Sequence, residues 1–322
     1  MKTRHFLQAL ALGAALAAGA APAFAQAWPA RPVKMIVPFP AGSATDLAAR
    51  VMAQQLGATL GQGFVVENKP GAGGSIAAME VVRAAPDGYT LLFSSNSALA
   101  SNVALLKSMP YDPVKDLAAV AGVGETTLAL MVKTEHPAKN LAEFLAYLRA
   151  RPGKVSAGFG SSSSQVSIAV LNKLAKTDAQ LVPYKGIPLA VNDVLAGVVD
   201  FTFVDLGNSM AQAKGGKMRA LGVTSPQRST LTPDWPALAE SLPGFDITAW
   251  FAIAGPASLP RDVAEKLNGA VAQALRQAEV KDRLAGIGLQ PMPMGPDQLK
   301  AFMASEVTKW VRLAKEANVQ PE

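Results

Sequence analysis

The sequence predicts an α/β fold with two domains, in each of which helices flank a mainly parallel β-sheet. The chain has 322 residues, more than a typical single domain contains. Short apolar runs alternate along it with stretches of helical periodicity. Strands that alternate with helices in this way form parallel sheets with helices on both faces, which gives the predicted class.

Each element follows from a local pattern of apolar residues and turn signals. In the first part of the chain, strands are predicted at residues 33–37, 64–67 and 89–94, with helices at 46–56 and after the glycine-rich loop 71–75. A second series begins near residue 129. It contains predicted strands at 128–132, 155–157, 181–184, 201–204 and 220–223, predicted helices at 141–149 and 167–175, and a polar loop at 161–164.

The C-terminal part begins after a proline-rich stretch. An apolar segment follows at residues 247–254, and two helical stretches complete the chain. In the last of them, apolar side chains recur at spacings of three and four residues, namely Leu299, Phe302, Met303, Trp310 and Leu313. This stripe predicts the buried face of a long amphipathic helix.

The N-terminus has the three parts of a cleaved signal peptide. Two basic residues precede an uncharged apolar run over residues 6–20, and residues 23–25 supply an Ala-Phe-Ala cleavage site. The run is too short to favour a membrane-spanning helix, and a retained anchor is the alternative. We therefore predict that residues 1–25 are removed, that the mature chain starts at Gln26 and that it is exported.

The composition argues against several classes of function. The net charge of +6 becomes +4 once the two basic residues of the predicted signal peptide are removed, and no lysine and arginine cluster is interleaved with aromatic residues. Nucleic-acid binding is therefore not expected. The sequence has no cysteine and, after the predicted cleavage, a single histidine, His136. A catalytic thiol, a Ser-His-Asp triad and a histidine-based metal site are poorly supported, so we expect neither a cofactor nor catalytic activity.

Two strand-loop-helix units share one design. In residues 37–46 the loop Ala-Gly-Ser-Ala-Thr leads into a helix, and in residues 156–164 a run of four serines does the same. The first amides of a helix have no intrahelical acceptor, and with the helix dipole and nearby hydroxyls they form a site for an anion. Each loop alone is also explained by N-capping, for which Ser43, Thr45 and Ser164 are suitable. A pair of such loops, one in each half, favours anion binding.

Two other motifs each lack a required glycine. Residues 71–75 follow a strand and resemble the start of a dinucleotide-binding fingerprint, but Ile76 stands where the third glycine is needed. Residues 160–164 lack the closing glycine of the Gly-x-Ser-x-Gly elbow of hydrolases. We interpret the first motif as a tight turn at a helix start and the second as part of the anion-binding loop.

Two polar residues at predicted strand ends are further candidate ligand contacts. Asp205 follows the apolar strand 201–204, where open α/β sheets bind their ligands, although it could equally cap the next helix. Tyr184 could line a pocket with its ring and hydroxyl, or pack between the domains.

Seven phrases occur along the chain in one order. They are Trp-Pro-Ala-Arg-Pro from residue 28, Val-Pro-Phe-Pro-Ala-Gly from 37, Val-Val-Glu-Asn-Lys-Pro-Gly-Ala-Gly-Gly from 65, Pro-Asp-Gly-Tyr-Thr-Leu-Leu from 86, Tyr-Asp-Pro-Val-Lys-Asp from 111, Val-Pro-Tyr-Lys-Gly from 182 and Gly-Lys-Met-Arg-Ala-Leu from 216. Together they resemble the periplasmic substrate-binding receptors of tripartite tricarboxylate transporters, also called Bug-type receptors. The resemblance extends from residue 28 to the C-terminal helix.

The resemblance implies a two-lobed, type II-like periplasmic binding protein whose hinged cleft closes on a ligand carboxylate. Lobe 1 would comprise residues 26–125 and 248–322, and lobe 2 residues 126–247. It further implies a periplasmic receptor, expected to be a monomer, that delivers its ligand to membrane permease subunits. The residues expected to contact the ligand are Phe39, Ala41, Gly42, Ser43, Ala44, Thr45, Asp46, Ser161, Ser162, Ser163, Ser164, Tyr184 and Asp205.

Departures from the family pattern leave the ligand open. Ser43 stands where relatives often have a second glycine, and Gln165 where many have a histidine. A frequent family aspartate corresponds to Val204, with Asp205 one place later. These changes indicate a less charged site, whose ligand could be a tricarboxylate, a dicarboxylate, an amino acid or an aromatic carboxylate.

Two other functions compete with transport. One is a secreted serine-dependent hydrolase, for which His136 would have to be the general base. The other is a ligand-sensing receptor for a regulatory partner, which needs only the same closing cleft.

Overall fold

The computed structural model describes residues 28–321, and the predicted signal peptide, residues 1–25, lies outside them. The strands are β1 Val33–Val37, β2 Phe64–Asn68, β3 Thr90–Ser95, β4 Leu117–Lys133, β5 Ser156–Phe159, β6 Gln180–Pro183, β7 Phe201–Asp205, β8 Met218–Val223, β9 Thr248–Pro256 and β10 Gln290–Met294. The helices are α1 Ala44–Leu60, α2 Ser75–Val82, α3 Asn102–Leu105, α4 Leu141–Arg149, α5 Ser162–Ala175, α6 Ile187–Ala196, α7 Leu206–Lys214, α8 Arg261–Arg276, α9 Ala278–Gly286 and α10 Pro296–Glu316. None of these helices is both long and apolar enough to span a bilayer.

The strands form one mixed sheet that runs through both lobes in the order β2-β1-β3-β9-β4-β7-β5-β6, with β8 and β10 also paired to β4. In lobe 1, β1 is parallel to β2 and β3, and in lobe 2, β5 is parallel to β6 and β7. The central strands β4 and β9 run antiparallel to each other and to their other partners. The predicted two-lobed α/β fold is confirmed. The sheet is mixed rather than mainly parallel, because the two strands that join the lobes run against their neighbours.

The chain passes between the lobes through β4 and into β9. Residues 117–127 of β4 pair with β9, and residues 128–133 pair with β7 and β8 of lobe 2. The passage therefore lies near Thr127, opposite the start of β9. The division of the lobes at residues 125/126 and 247/248 stays a prediction.

The first half of β4 is a strand that the sequence does not predict. This half is rich in alanine and glycine, which have low strand propensity. Glycine is needed here, because a Cβ on Gly122 would lie 2.7 Å from the carbonyl oxygen of Met292 in β10. Close packing between strands, and not local propensity, determines this part of the sheet.

Helix boundaries differ from the prediction at the ends that face the cleft. Helix α1 begins at Ala44, and α5 begins at Ser162, so most of the predicted polar loop 161–164 is the first turn of a helix. The reason is that Ser161 caps α5 with its own hydroxyl. The C-terminal part has three helices and β10 in place of two helical stretches, and α3, α6 and α7 are further additions.

Helix α10 packs on the central strands with its predicted apolar stripe, whose five side chains are buried or half-buried. Glu306 also lies on this buried face. Its Oε2 accepts hydrogen bonds from the indole N–H of Trp250 in β9 at 2.8 Å and from that of Trp310 at 2.9 Å. These bonds attach α10 to β9, one of the two strands that join the lobes.

Candidate ligand-binding site between the lobes

Four strand ends meet at the cleft between the lobes. Strands β1 and β3 of lobe 1 and β5 and β7 of lobe 2 each lead, at the carboxyl end, into a helical segment. Residues from all four ends line a small cavity, and three of the four also contribute to a larger one beside it. Open α/β sheets bind their ligands at the carboxyl ends of strands, so this is the expected location of a site.

The loop after β1 presents two backbone N–H groups without an acceptor. Ser43 caps α1, since its Oγ accepts the N–H of Asp46 at 3.2 Å, and its own N–H donates to the carbonyl of Pro40 at 3.2 Å. Among residues 28–321, no acceptor lies within hydrogen-bond reach of the N–H groups of Ala44 and Thr45. These are the first amides of the helix, and they are available to a ligand.

Asp46 holds this loop in place. Its carboxylate accepts hydrogen bonds from the N–H of Gly42 at 3.0 Å, from Asn68 at 2.9 Å and from Arg50 at 3.1 Å. Burial acts to raise the pKa of Asp46, but the hydrogen bonds from Arg50, Gly42 and Asn68 outweigh it and lower the pKa below its usual value. Since its oxygens are bound by the chain itself, Asp46 shapes the loop.

The loop after β5 has the same arrangement. Ser161 Oγ accepts the N–H of Ser164 at 3.2 Å, and Ser164 Oγ accepts the N–H groups of Ser161 and Gly160 at 3.1 Å. The N–H of Ser163 has no acceptor within the part of the chain that the structure describes. The hydroxyls of Ser161 and Ser164 therefore cap the helix, and the neighbouring N–H of Ser163 is available to a ligand.

Ser162 and Ser163 also contact lobe 1 directly, through residues 96–101, which the sequence does not predict as part of the site. Ser162 Oγ lies 2.8 Å from Ser97 Oγ and 2.5 Å from Ser101 Oγ, and Ser163 Oγ accepts from the side-chain amide of Asn96 at 3.1 Å. All of these side chains are buried. A signal was present, since a Ser-Ser-Asn-Ser run spans the end of β3 at residues 94–97, and polar loops also stand at the ends of β1 and β5.

The two helix starts border one small cavity of about 20 Å³. Its lining contains all three residues whose N–H groups lack acceptors, Ala44 and Thr45 from lobe 1 and Ser163 from lobe 2. A cavity of this size holds about one water molecule, so the lobes have to separate slightly to admit a carboxylate.

A larger cavity of about 320 Å³ lies beside it, and Phe39, Gly160 and Ser161 line both. Its walls include the rings of Phe159 and Tyr184, two leucines and the glycine turn at residues 71–74. The Tyr184 hydroxyl donates to Asp193 Oδ2 at 2.6 Å. Burial, together with this bond, raises the pKa of Tyr184 to about 12, so the hydroxyl is neutral at physiological pH.

The structure brings most of the predicted contacts together but not all of them. Nine of the thirteen line one or both cavities, and the four that do not are Ala41, Gly42, Asp46 and Ser164. Ala41 and Gly42 are exposed, whereas Asp46 and Ser164 are buried within the helix starts. Direct contact of any of the thirteen with a ligand stays a prediction.

Asp205 lies at the end of β7 and lines the small cavity, with 8% of its surface exposed. It immediately precedes α7, yet its side chain makes no capping hydrogen bond to that helix. Burial raises the pKa of Asp205 to about 6, although its own backbone N–H partly opposes this. The alternative interpretation of this residue as a helix cap therefore has no support in the geometry.

His136 lies apart from both cavities, before α4. Its Nδ1 accepts the N–H of Ala138 at 3.1 Å, and its ring packs against those of Phe144 and Tyr147. Burial lowers the pKa of His136. In this position it cannot act as a general base for the serines of the cleft. Within residues 28–321 there is no group of three or more acidic or histidine side chains that could hold a metal ion.

The sequence matches the profile of the tripartite tricarboxylate transporter family receptor over residues 48–319. The chain belongs to this receptor family. It is 36% identical to Protein BugT of Bordetella pertussis over 324 residues, which cover 99% of each chain. It is also similar to the solved structure of R. palustris Rpa4515 with adipate, with a TM-score of 0.89, 30% identity and coverage of 92% of this chain and 100% of that one. MatC from Rhodopseudomonas palustris with bound malate gives a TM-score of 0.83, 33% identity and coverage of 89% and 99%.

The family resemblance predicted from the sequence is thereby confirmed. Members of the family are solute-binding receptors and periplasmic binding proteins, not enzymes. The adipate and malate complexes show that carboxylates are ligands of such receptors.

Proposed function

We propose that this chain is a periplasmic receptor that captures a small carboxylate between its lobes and delivers it to the membrane subunits of a tripartite tricarboxylate-type transporter. Family membership and the signal-peptide pattern support the location and the delivery step. The chain binds its ligand without converting it, which agrees with the position of His136 away from both cavities.

One observation carries the proposal. The N–H groups of Ala44, Thr45 and Ser163 have no acceptor in the described chain, they belong to both lobes, and their residues line one cavity. Helix dipoles at the starts of α1 and α5 favour negative charge at this point. A carboxylate bound there would accept from both lobes at once and so stabilise the closed arrangement.

The larger cavity suits the remainder of the ligand. Its walls are mainly aromatic, aliphatic or glycine, with Asn102, Gln165 and Lys185 as the polar residues of its lining outside the serine loop. Lys185 is exposed, and its positive charge would favour a second carboxylate on the ligand. We therefore propose an elongated carboxylate whose body lies against Phe39 and Tyr184.

A calorimetric comparison of an acid with its amide tests this function. A thermal-shift screen of di-, tri- and aromatic carboxylates first selects the best ligand, since a ligand at a hundredfold its Kd stabilises by about 2.7 kcal/mol. We expect its primary amide to bind at least tenfold more weakly, because the amide lacks the charge that the helix starts favour. Equal affinity of acid and amide would show that the anion site lies elsewhere.

A variant at Thr45 refines the same test. Thr45 lines the small cavity, and its hydroxyl makes no hydrogen bond within residues 28–321. Thr45→Val keeps the shape of the side chain and should weaken binding of the acid by roughly ten- to a hundredfold, since hydrogen bonds to charged groups contribute about 1.5 to 3 kcal/mol. The control is Thr308→Val, an exposed threonine of α10, which should bind normally.

A further inference from the structure

Asp205 places a largely buried carboxyl inside the proposed binding site. Among residues 28–321, no other residue donates a hydrogen bond to its side chain, and it does not cap α7. It is the single ionisable residue in the lining of the small cavity, to which the β1 loop, Asn96, the start of α5 and β9 also contribute. A largely buried carboxyl that receives no donor from the described chain is less well solvated than one in water, so a donor on a bound ligand would stabilise it.

The position of Asp205 conflicts with a ligand that brings only negative charge. The three available N–H groups and Asp205 border the same cavity of about 20 Å³, so a carboxylate bound by those amides would lie close to the Asp205 carboxyl. Two adjacent anions repel each other strongly in a site with little water. A hydrogen-bond donor on the ligand, between the two carboxyl groups, would relieve this repulsion and satisfy Asp205.

We propose that Asp205 accepts a hydrogen bond from a hydroxyl or ammonium group on the carbon next to the ligand carboxylate, so that the receptor selects 2-hydroxy or 2-amino acids over unsubstituted acids. This inference rests on the proposed function, because it takes the carboxylate to lie at the two helix starts. The shared lining argues for the neighbouring carbon, since the residues that would hold the carboxylate and Asp205 border one small cavity. The rest of the ligand then extends past Phe39 into the larger cavity.

Matched ligand sets test the inference. Succinate, malate and aspartate share one skeleton and differ in hydrogen, hydroxyl or ammonium at one carbon, and phenylacetate, mandelate and phenylglycine form an aromatic set. We expect calorimetry at pH 7.5 to show the hydroxy or amino member of at least one set binding tenfold or more tightly than the unsubstituted member. In Asp205→Ala this preference should fall to less than threefold.

Asp205→Asn separates the two kinds of donor and serves as the isosteric variant if Asp205→Ala folds poorly. Its amide oxygen still accepts a hydrogen bond from a hydroxyl, so the affinity for a hydroxy acid should fall less than tenfold. The asparagine side chain carries no charge, so the affinity for an amino acid should fall more than tenfold. Asp246→Asn removes an exposed carboxylate of the same lobe, outside both cavities, and should leave all affinities unchanged.

Two results overturn the inference while leaving the proposed function intact. One is a carboxylate that binds in the screen while no member of either set is preferred over its unsubstituted analogue. The other is an equal loss of affinity for all three members of a set in both Asp205 variants. By contrast, the absence of binding by every carboxylate in the screen would contradict the proposed function itself.

Discussion

At the scale of single residues, two aspartates near the cleft have opposite surroundings. Asp46 is held by Arg50, Asn68 and a backbone N–H, which keep it ionised. Asp205 is also buried, but its side chain receives no hydrogen bond from another residue among residues 28–321. The first carboxylate therefore stabilises a loop, whereas the second is held at a cost in stability that a ligand can offset.

This cost gives a pH-dependent prediction. The pKa of Asp205 is raised from 3.8 to about 6, so between these values the folded chain binds a proton that the unfolded chain does not. The contribution of Asp205 to stability therefore becomes less favourable as pH rises through this window, and the penalty is complete above about pH 6. None of the other residues lining the small cavity titrates.

We expect unliganded Asp205→Asn to be more stable than the wild type at pH 7.5, by on the order of 1 to 3 kcal/mol, and the difference to shrink towards pH 4. Chemical denaturation of both proteins across this range measures it. A difference that stays constant with pH would mean that Asp205 does not titrate in this way.

At the scale of elements, the start of α5 has two roles. Ser163, whose N–H has no acceptor among residues 28–321, lines the small cavity, while the Ser162 hydroxyl forms hydrogen bonds with Ser97 and Ser101 of lobe 1. Ligand binding and lobe contact thus depend on adjacent residues of one helical turn.

Ser162→Ala should therefore weaken lobe contact while leaving the backbone amide of Ser163 in place. Net contributions of about 0.5 to 1.5 kcal/mol for each of two hydrogen bonds predict a loss of affinity of roughly five- to a hundredfold. Calorimetry with the best carboxylate measures the affinity, and small-angle scattering should show a larger mean radius for the unliganded variant. Ser305→Ala, at an exposed serine of α10, is the control. Unchanged affinity and radius in Ser162→Ala would exclude this role.

The attachment of α10 to β9 gives a separate prediction. Glu306→Ala leaves two buried indole N–H groups, those of Trp250 and Trp310, without their acceptor. Each unsatisfied group costs about 1 to 3 kcal/mol, so the variant should lose about 2 to 6 kcal/mol of unfolding free energy. Glu306→Gln keeps an acceptor oxygen and should lose less. A loss below 1 kcal/mol in Glu306→Ala would show that these bonds do not stabilise the helix.

The sequence predicts elements with strong local patterns well and those set by distant contacts poorly. Strand β1 and helix α4 have the predicted bounds, because apolar periodicity and capping residues are local signals. The first half of β4 escapes prediction because its small residues are chosen by the close approach of β10. Asn96 is not predicted as part of the site, because its partners, Ser162 and Ser163, are distant from it in sequence.

At the scale of the whole molecule, the sheet order explains why the site lies between lobes. Strands β4 and β9 join the two halves of the sheet, so the carboxyl ends of β1 and β5 lie at the cleft between the lobes. Each lobe supplies N–H groups that have no acceptor in the part of the chain that the structure describes. An anion that bridges the N–H groups of the two lobes would stabilise the closed arrangement and so capture the ligand.

Amide NMR of the mature chain, titrated with the best carboxylate from the screen, tests most directly whether one carboxylate bridges the starts of α1 and α5. Hydrogen bonding to an anion moves an amide proton downfield. If both helix starts hold the carboxylate, the amide protons of Ala44 and Thr45 in lobe 1 and of Ser163 in lobe 2 should move downfield together, with one Kd, while the amide proton of Thr308 on α10 should not move. Shifts confined to the amides of one lobe, or none at these three positions on saturation, would contradict the claim that both helix starts hold the carboxylate.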